Sequence, residues 1–408
     1  MSSLQLNIVK HKANSYIMIE GDQNSSLFYI IQDGIVKVND TVSKLLGYGE
    51  QTLQKGDFFG VVSSMSKFPR IETAYAQTDT VLIAIKNDQF PTLLQKSPNI
   101  ALKIIKKFST DLRHYDEYIA KSNIKSNPTL LVNEEDTLFN NGNYYLNKNN
   151  YNFAYRIFNN YLISYPNGKY TNQAKEKLNL IKPYIDNSKT TLNLQGLNAI
   201  VPENFLIFSE GEIGDKLYII QKGKINITKI INNNEILIAV LKDGDIFGEM
   251  ALLEDKPRTA NAITSEKTNL LVVDRKNFNF MVINQPAMAT KLIELLSERI
   301  WVAYRQIQNT FISDPMGKLW DMLLIQLQKN RVQIIPKGQF QCPFGVKDLI
   351  KMIGLPEANI SKYYAELMNT KKIEEVGGNL VIKDVSIVEK QAEYYKKILE
   401  IQSKIRKT

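Results

Sequence analysis

The sequence predicts a multidomain α+β protein: two jelly-roll-type β-rolls separated by a helical hairpin region, then a C-terminal helix-turn-helix with a hairpin wing. Three observations carry this reading. The chain contains a long internal repeat, both copies are strand-rich with regular turns, and the stretches between and after them switch to helical periodicity. Residues Ser15 to Lys86 recur as Asn204 to Asp274. Glu20-Gly21-Asp22 returns as Glu210-Gly211-Glu212, and Tyr29 to Gly34 as Tyr218 to Gly223. Gly56-Asp57-Phe58-Phe59-Gly60 returns as Gly244-Asp245-Ile246-Phe247-Gly248, and Pro69-Arg70 as Pro257-Arg258. The offset drifts only from 190 to 188, so the copies differ by two small loop changes.

The expected order is a first roll with its terminal helix (1–122), a helical spacer (123–190), a second roll with its helix (191–313), a winged helix-turn-helix (314–385) and a basic terminal helix (386–408). Within the second roll, Leu217 to Ile220, Ile225 to Ile230 and Ile236 to Leu241 are short runs rich in Ile, Leu, Tyr and Val, punctuated by Gly, Asn and Asp. Many short strands with glycine turns argue for a closed roll. In the helix that follows, Ile293, Leu296, Ile300, Ala303 and Ile307 recur at spacings of three and four. Such a seam predicts a homodimer through residues 291–311, the alternative being a helix packed on its own roll. In the spacer, Gly142, Tyr145, Ala154, Phe158 and Pro166 resemble a single tetratricopeptide repeat, which cannot bury its face alone and should lean on a neighbour.

Composition narrows the function. With 44% hydrophobic and 23% charged residues, the chain can bury real cores. Cys342 is its one cysteine, which excludes an internal disulfide framework and fits a reducing, cytoplasmic setting. Only His11 and His114 are histidines, so a Cys/His metal site is not expected. No apolar run approaches the ~20 residues a membrane span needs, and the start of the chain does not read as a signal peptide. The net charge is +9, and residues 315–408 hold 16 Lys+Arg against 10 Asp+Glu. That asymmetry fits a polyanion such as nucleic acid, or a lysine-rich solvated surface.

The chemically informative stretch runs from Asp243 to Leu253, then Pro257-Arg258-Thr259-Ala260. A strand end bounded by glycine leads into a short helix beginning near Gly248, whose first N–H groups are unpaired. Gly248 permits close approach of backbone. Arg258 offers a fork of donors suited to a phosphate, and Glu249 is an acceptor suited to sugar hydroxyls. Phe247, Gly248, Glu249, Met250, Ala251, Leu252, Pro257, Arg258, Thr259 and Ala260 closely resemble the phosphate-binding cassette of cyclic-nucleotide-binding domains, as in protein kinase A regulatory subunits and the catabolite activator (Crp/Fnr-like) family. The resemblance implies that Glu249 binds the ribose 2′-hydroxyl, Arg258 the cyclic phosphate, and Thr259 the phosphate or base. The bland alternative is an internal Glu249–Arg258 ion pair. In the first copy Gly60 and Arg70 remain, but Val61 replaces the glutamate, Ser63-Ser64 replace Ala251-Leu252, and Ile71-Glu72 replace Thr259-Ala260. That copy is expected to be structural. Trp301 and Tyr304 are candidates to stack on the base, or to sit in the dimer core. Cyclic AMP is favoured over cyclic GMP on family frequency.

Residues 315–385 resemble the winged helix of the same regulator family. Asp314 to Leu319 begins a helix, Val346 to Ile353 is the first helix of the motif, Gly354 its turn, and Pro356 to Thr370 the second helix. Gly377-Gly378 is a hairpin turn. The exposed positions Glu357, Asn359, Ser361 and Lys362 are candidate DNA contacts, though the arginine usual in the family is missing. The terminal helix carries an apolar stripe at Ile387, Tyr394, Ile398, Ile401 and Ile405. The expectation is a cytoplasmic, nucleotide-dependent transcription regulator and not an enzyme, the alternative being a scaffold that signals through protein contacts. A kinase regulatory subunit is disfavoured because the 14 residues before Ser15 contain no arginine.

Overall fold

In the computed structural model, which describes residues 7–123, 133–231, 233–353, 355 and 360–405, each copy of the repeat is two antiparallel sheets. In the first roll one sheet orders the strands Asn7–His11, Thr80–Lys86, Leu27–Asp33 and Phe58–Phe59. The other orders Tyr16–Met18, Thr73–Ala76, Val36–Asn39 and Gln51–Leu53. Apart from the consecutive pair Val36–Asn39 and Gln51–Leu53, neighbours in each sheet are distant in sequence, so the chain alternates between sheets as a roll must. The second roll repeats both sheets, adding Leu194–Gln195 at one edge. The multidomain α+β expectation holds for these two rolls.

Burial explains a difference between otherwise matching strands. Thr73–Ala76 alternates between half-buried and buried, the signature of a sheet with one wet face. Its counterpart Asn261–Thr264 is buried at all four positions. The cause lies in the preceding helices Glu134–Asn147, Tyr151–Ser164 and Thr171–Ile181. Their core residues Leu138, Phe139, Ile157, Phe158 and Tyr161 form one apolar cluster with Leu206 and Ile263 of the second roll. Gly142 marks the close approach of the first two of these helices, since a β-carbon there would lie 2.5 Å from the Phe158 ring. Three helices stand where a two-helix hairpin was expected, because Thr171–Ile181 buries Ala174 and Ile181 as a further layer.

Two compact units result: Met1–Phe90, Asp111–Pro128 and Leu296–Thr408 form one, Pro91–Thr110 and Thr129–Leu295 the other. In the first, helices Pro315–Lys329, Val346–Met352, Ile360–Asn369 and Val385–Ile405 enclose a core with the strands Phe340–Gln341, Ile373–Val376 and Asn379–Ile382. Gly377 and Gly378 both have positive φ (59° and 80°), as the two-residue turn between the last two strands requires. The terminal helix buries Val385, Val388 and Ala392, while Tyr394 is 58% exposed. Of the stripe read from sequence, Ile387 and Ile398 are half-buried and Tyr394 is exposed, Ala392 lying in the core instead, while the side chains of Ile401 and Ile405 lie outside the described residues. Cys342 lies fully inside this core, and burial pushes its thiol up to about 12.

The stripe Ile293, Leu296, Ile300, Ala303 and Ile307 is at most 4% exposed within the single chain. The burial expected from a second copy along 291–311 is therefore supplied internally. Among the described residues no helix is long and apolar enough to cross a membrane.

Candidate functional site

The site is built on helix Glu249–Glu254, which starts at Gly248 with φ 77°. A side chain at Gly248 would be strained by that angle and would also meet Arg258 Nη1, 2.6 Å from the position of a β-carbon. The cassette that sequence grouped comes together here. Phe247, Glu249, Met250, Ala251 and Arg258 are all 5% exposed or less, and Thr259 and Ala260 are half-buried. Glu249 is 2% and Arg258 5% exposed, and burial of charged groups at that level is costly unless they have partners.

Arg258 is fixed from several sides. Its Nη1 donates to the Gly248 carbonyl at 2.5 Å and its Nη2 to the Lys216 carbonyl at 2.7 Å. The guanidinium lies over the Phe208 ring, 4.3 Å from its centroid, and 5.9 Å from that of Tyr218. Tyr218 in turn stacks on Phe247 at 5.1 Å. Burial raises the Tyr218 phenol pKa above its ordinary value. Arg258 Nε is buried with no hydrogen-bond partner among the described residues. Phe208, Tyr218 and the Lys216 carbonyl were missed by sequence reasoning. Tyr218 could have been found, since it recurs at the position of Tyr29 in the repeat.

The family model described as the cyclic nucleotide-binding domain matches residues 8–97 and 200–285. Both rolls are cyclic nucleotide-binding domains. A CRP-like cAMP-activated global transcriptional regulator of Mycobacterium tuberculosis is 24% identical over 184 residues, 45% of this chain and 82% of that protein. A cyclic AMP receptor protein of Thermus thermophilus is 32% identical over 132 residues, covering 32% of this chain and 61% of its own. A cGMP-dependent protein kinase of Plasmodium berghei is 42% identical over 164 residues, 39% of this chain but only 18% of the kinase.

The first cyclic nucleotide-binding domain keeps the frame and changes the contents. Arg70 Nη1 donates to the Gly60 carbonyl at 3.1 Å, and its Nε is likewise without a partner among the described residues. Burial lowers the Arg70 pKa. Here, however, the Gly60 N–H donates to Glu72 Oε1 at 2.5 Å, so a carboxylate of the chain holds the start of the cassette helix Val61–Ser66. Val61, at 2% exposure, stands where Glu249 stands in the second domain.

Trp301 and Tyr304 are committed to the first domain. The Trp301 indole N–H donates to the Pro69 carbonyl at 3.1 Å, and its ring centroid is 4.4 Å from that of Phe68. The Tyr304 hydroxyl donates to Glu20 Oε1 at 2.5 Å, and burial beside that carboxylate raises its pKa. The ion pair of Arg305 with the fully buried Asp321 at 3.0 Å joins the same helix to Pro315–Lys329. Of the DNA-contact candidates, Ser361 and Lys362 are exposed on helix Ile360–Asn369. Glu357 and Asn359 lie outside the described residues, as do Gly354 and Pro356. No cluster of metal-ligating side chains occurs among the described residues.

Proposed function

We propose that the chain is a cytoplasmic cyclic-nucleotide receptor whose second domain takes cyclic AMP in preference to cyclic GMP and relays occupancy to a DNA-binding winged helix. The observation that supports it most is Arg258: buried, held at Gly248 and Lys216, with Nε unpartnered among the described residues, on a cassette that also buries Glu249. A guanidinium in that state suits a cyclic phosphate, Glu249 a ribose hydroxyl, and Thr259 either phosphate or base. The preference for cyclic AMP rests on the two bacterial relatives named for it.

Ligand binding would act by population shift, favouring one placement of helix Pro286–Thr310. The helix-turn-helix and hairpin of residues 314–385 would receive it, and exposed Lys347, Lys362, Lys371 and Lys372 would hold phosphates. A homodimer through 291–311 is not carried into this reading, because the chain buries that stripe itself. The helices of residues 134–181 are taken as a tetratricopeptide-like spacer.

Calorimetric titration of both nucleotides into the full chain tests the receptor. Replacing Arg258 by Ala removes a buried phosphate partner and should cost about 2–5 kcal/mol, roughly 30- to 5000-fold in affinity. No heat with either nucleotide in the folded wild type would overturn the reading. The scaffold alternative is separated by DNA titration at several salt concentrations. Phosphate contacts make log affinity fall linearly with log salt, whereas a scaffold shows no DNA affinity to lose.

A further inference from the structure

The turn from Ser209 to Gly214 sits against the arginine of the second domain. Arg258 N–H donates to the Glu212 carbonyl at 2.8 Å, and Gly211 N–H donates to the Arg258 carbonyl at 2.9 Å. A β-carbon on Gly214 would lie 2.3–2.4 Å from the guanidinium. The turn and Arg258 are thus bonded backbone to backbone and packed closely against each other.

The helices before the domain hold that turn. Asn160 Nδ2 donates to Glu212 Oε2 at 2.8 Å, and Ser209 N–H donates to the same oxygen at 3.1 Å. The Tyr165 hydroxyl donates to the Gly211 carbonyl at 3.0 Å, and Ile213 N–H donates to Ser164 Oγ at 3.1 Å. Arg156 anchors the adjacent strand through the Ile207 carbonyl at 2.6 Å and places its charge near the Glu212 carboxylate. A β-carbon on Gly211 would come within 2.4 Å of the Glu134 carbonyl.

The first domain supplies the control. The same pair of backbone bonds forms there: Gly21 N–H donates to the Arg70 carbonyl at 2.8 Å and Arg70 N–H to the Asp22 carbonyl at 2.9 Å. There the residue matching Glu212 is Asp22, which is exposed and caps its own loop through Asn24 N–H at 2.9 Å. A β-carbon on Gly21 would meet nothing within 4 Å. In the first domain Glu20 is held by Tyr304 but Gly21 and Asp22 are exposed, whereas the matching Gly211 and Glu212 are clamped by the helix Tyr151–Ser164 and its C-cap Tyr165.

We propose that Glu212 is a positioning residue for Arg258, and that helix Tyr151–Ser164 is part of the nucleotide site through Asn160, so that its docking sets nucleotide affinity. This rests on the receptor reading above. Asn160→Ala and Glu212→Ala should each weaken cyclic AMP binding by roughly 5- to 150-fold, the usual range of coupling between sites. The two losses should be non-additive, because they break one contact. Glu212→Gln keeps an acceptor for Asn160 and Ser209 and should stay near wild type. By reciprocity, cyclic AMP should slow amide exchange across residues 134–165 of the wild type.

A helix that only stabilises the fold would lower the melting temperature and leave affinity unchanged. Unchanged affinity in a folded Asn160→Ala chain, with no nucleotide-dependent protection of 134–165, overturns the proposal. Should the wild type bind neither nucleotide, the receptor reading fails by itself, and nucleotide-free exchange still decides the positioning. Faster exchange of the Gly211 and Arg258 amides in Asn160→Ala supports it, and identical exchange overturns it.

Discussion

The two cyclic nucleotide-binding domains share a frame and differ in what fills it. Each buries an arginine against the carbonyl of the glycine that opens the cassette helix. In the first, the Glu72 carboxylate takes that glycine's N–H. In the second, Ala260 puts a methyl at the matching position, and Glu249 replaces the apolar Val61. The first domain also carries Trp301 and Tyr304 on its cassette and on Glu20, whereas the corresponding glutamate of the second, Glu210, pairs with Lys229 at 3.1 Å. The lesson is that two copies of one frame can keep the same buried arginine while one of them sets an internal anion and an indole cover beside it.

The largest way to break that comparison is Trp301→Ala. Truncating a buried tryptophan costs about 3–5 kcal/mol, and here the loss should appear as faster amide exchange in residues 60–72. Faster exchange in the second domain's strands, with the first domain unmoved, would contradict the assignment of Trp301 as a cover. Next comes the pair Arg258→Ala and Arg70→Ala. The former should lose about 2–5 kcal/mol of nucleotide binding, and the latter should leave affinity and a stoichiometry of one unchanged. Two nucleotides per wild-type chain would show that the first domain binds after all. The smallest effect is Glu72→Ala, which strands the Gly60 N–H and should cost about 1–3 kcal/mol of first-domain stability in a denaturant titration. Glu72→Gln, still an acceptor, should recover most of it.

Sequence reached the cassette because its parts are contiguous. From Phe247 to Ala260 the chain supplies acid, guanidinium and glycine in one stretch, and the repeat displays the degenerate version beside it. The Gly377-Gly378 turn was equally local. What covers an apolar stripe is not local: the spacing of Ile293 to Ile307 says that something buries it, and nothing in the spacing says whose surface. The same blindness hid the commitment of Trp301, whose partner Pro69 is 232 positions away. It hid Asn160 and Glu212 too, since polar contacts across 52 positions leave no periodicity. On the terminal helix, period alone could not choose between Tyr394 and Ala392.

The solitary thiol of Cys342 has a practical consequence. Buried in the C-terminal core with its ionisation suppressed, it should be silent to alkylating reagents while that core is closed. A cysteine introduced at an exposed position elsewhere would then be the only reactive handle on the native protein. Conversely, any modification of Cys342 itself would time the opening of the C-terminal region alone, which makes the chain a self-labelled clock for the part that nucleotide is proposed to control.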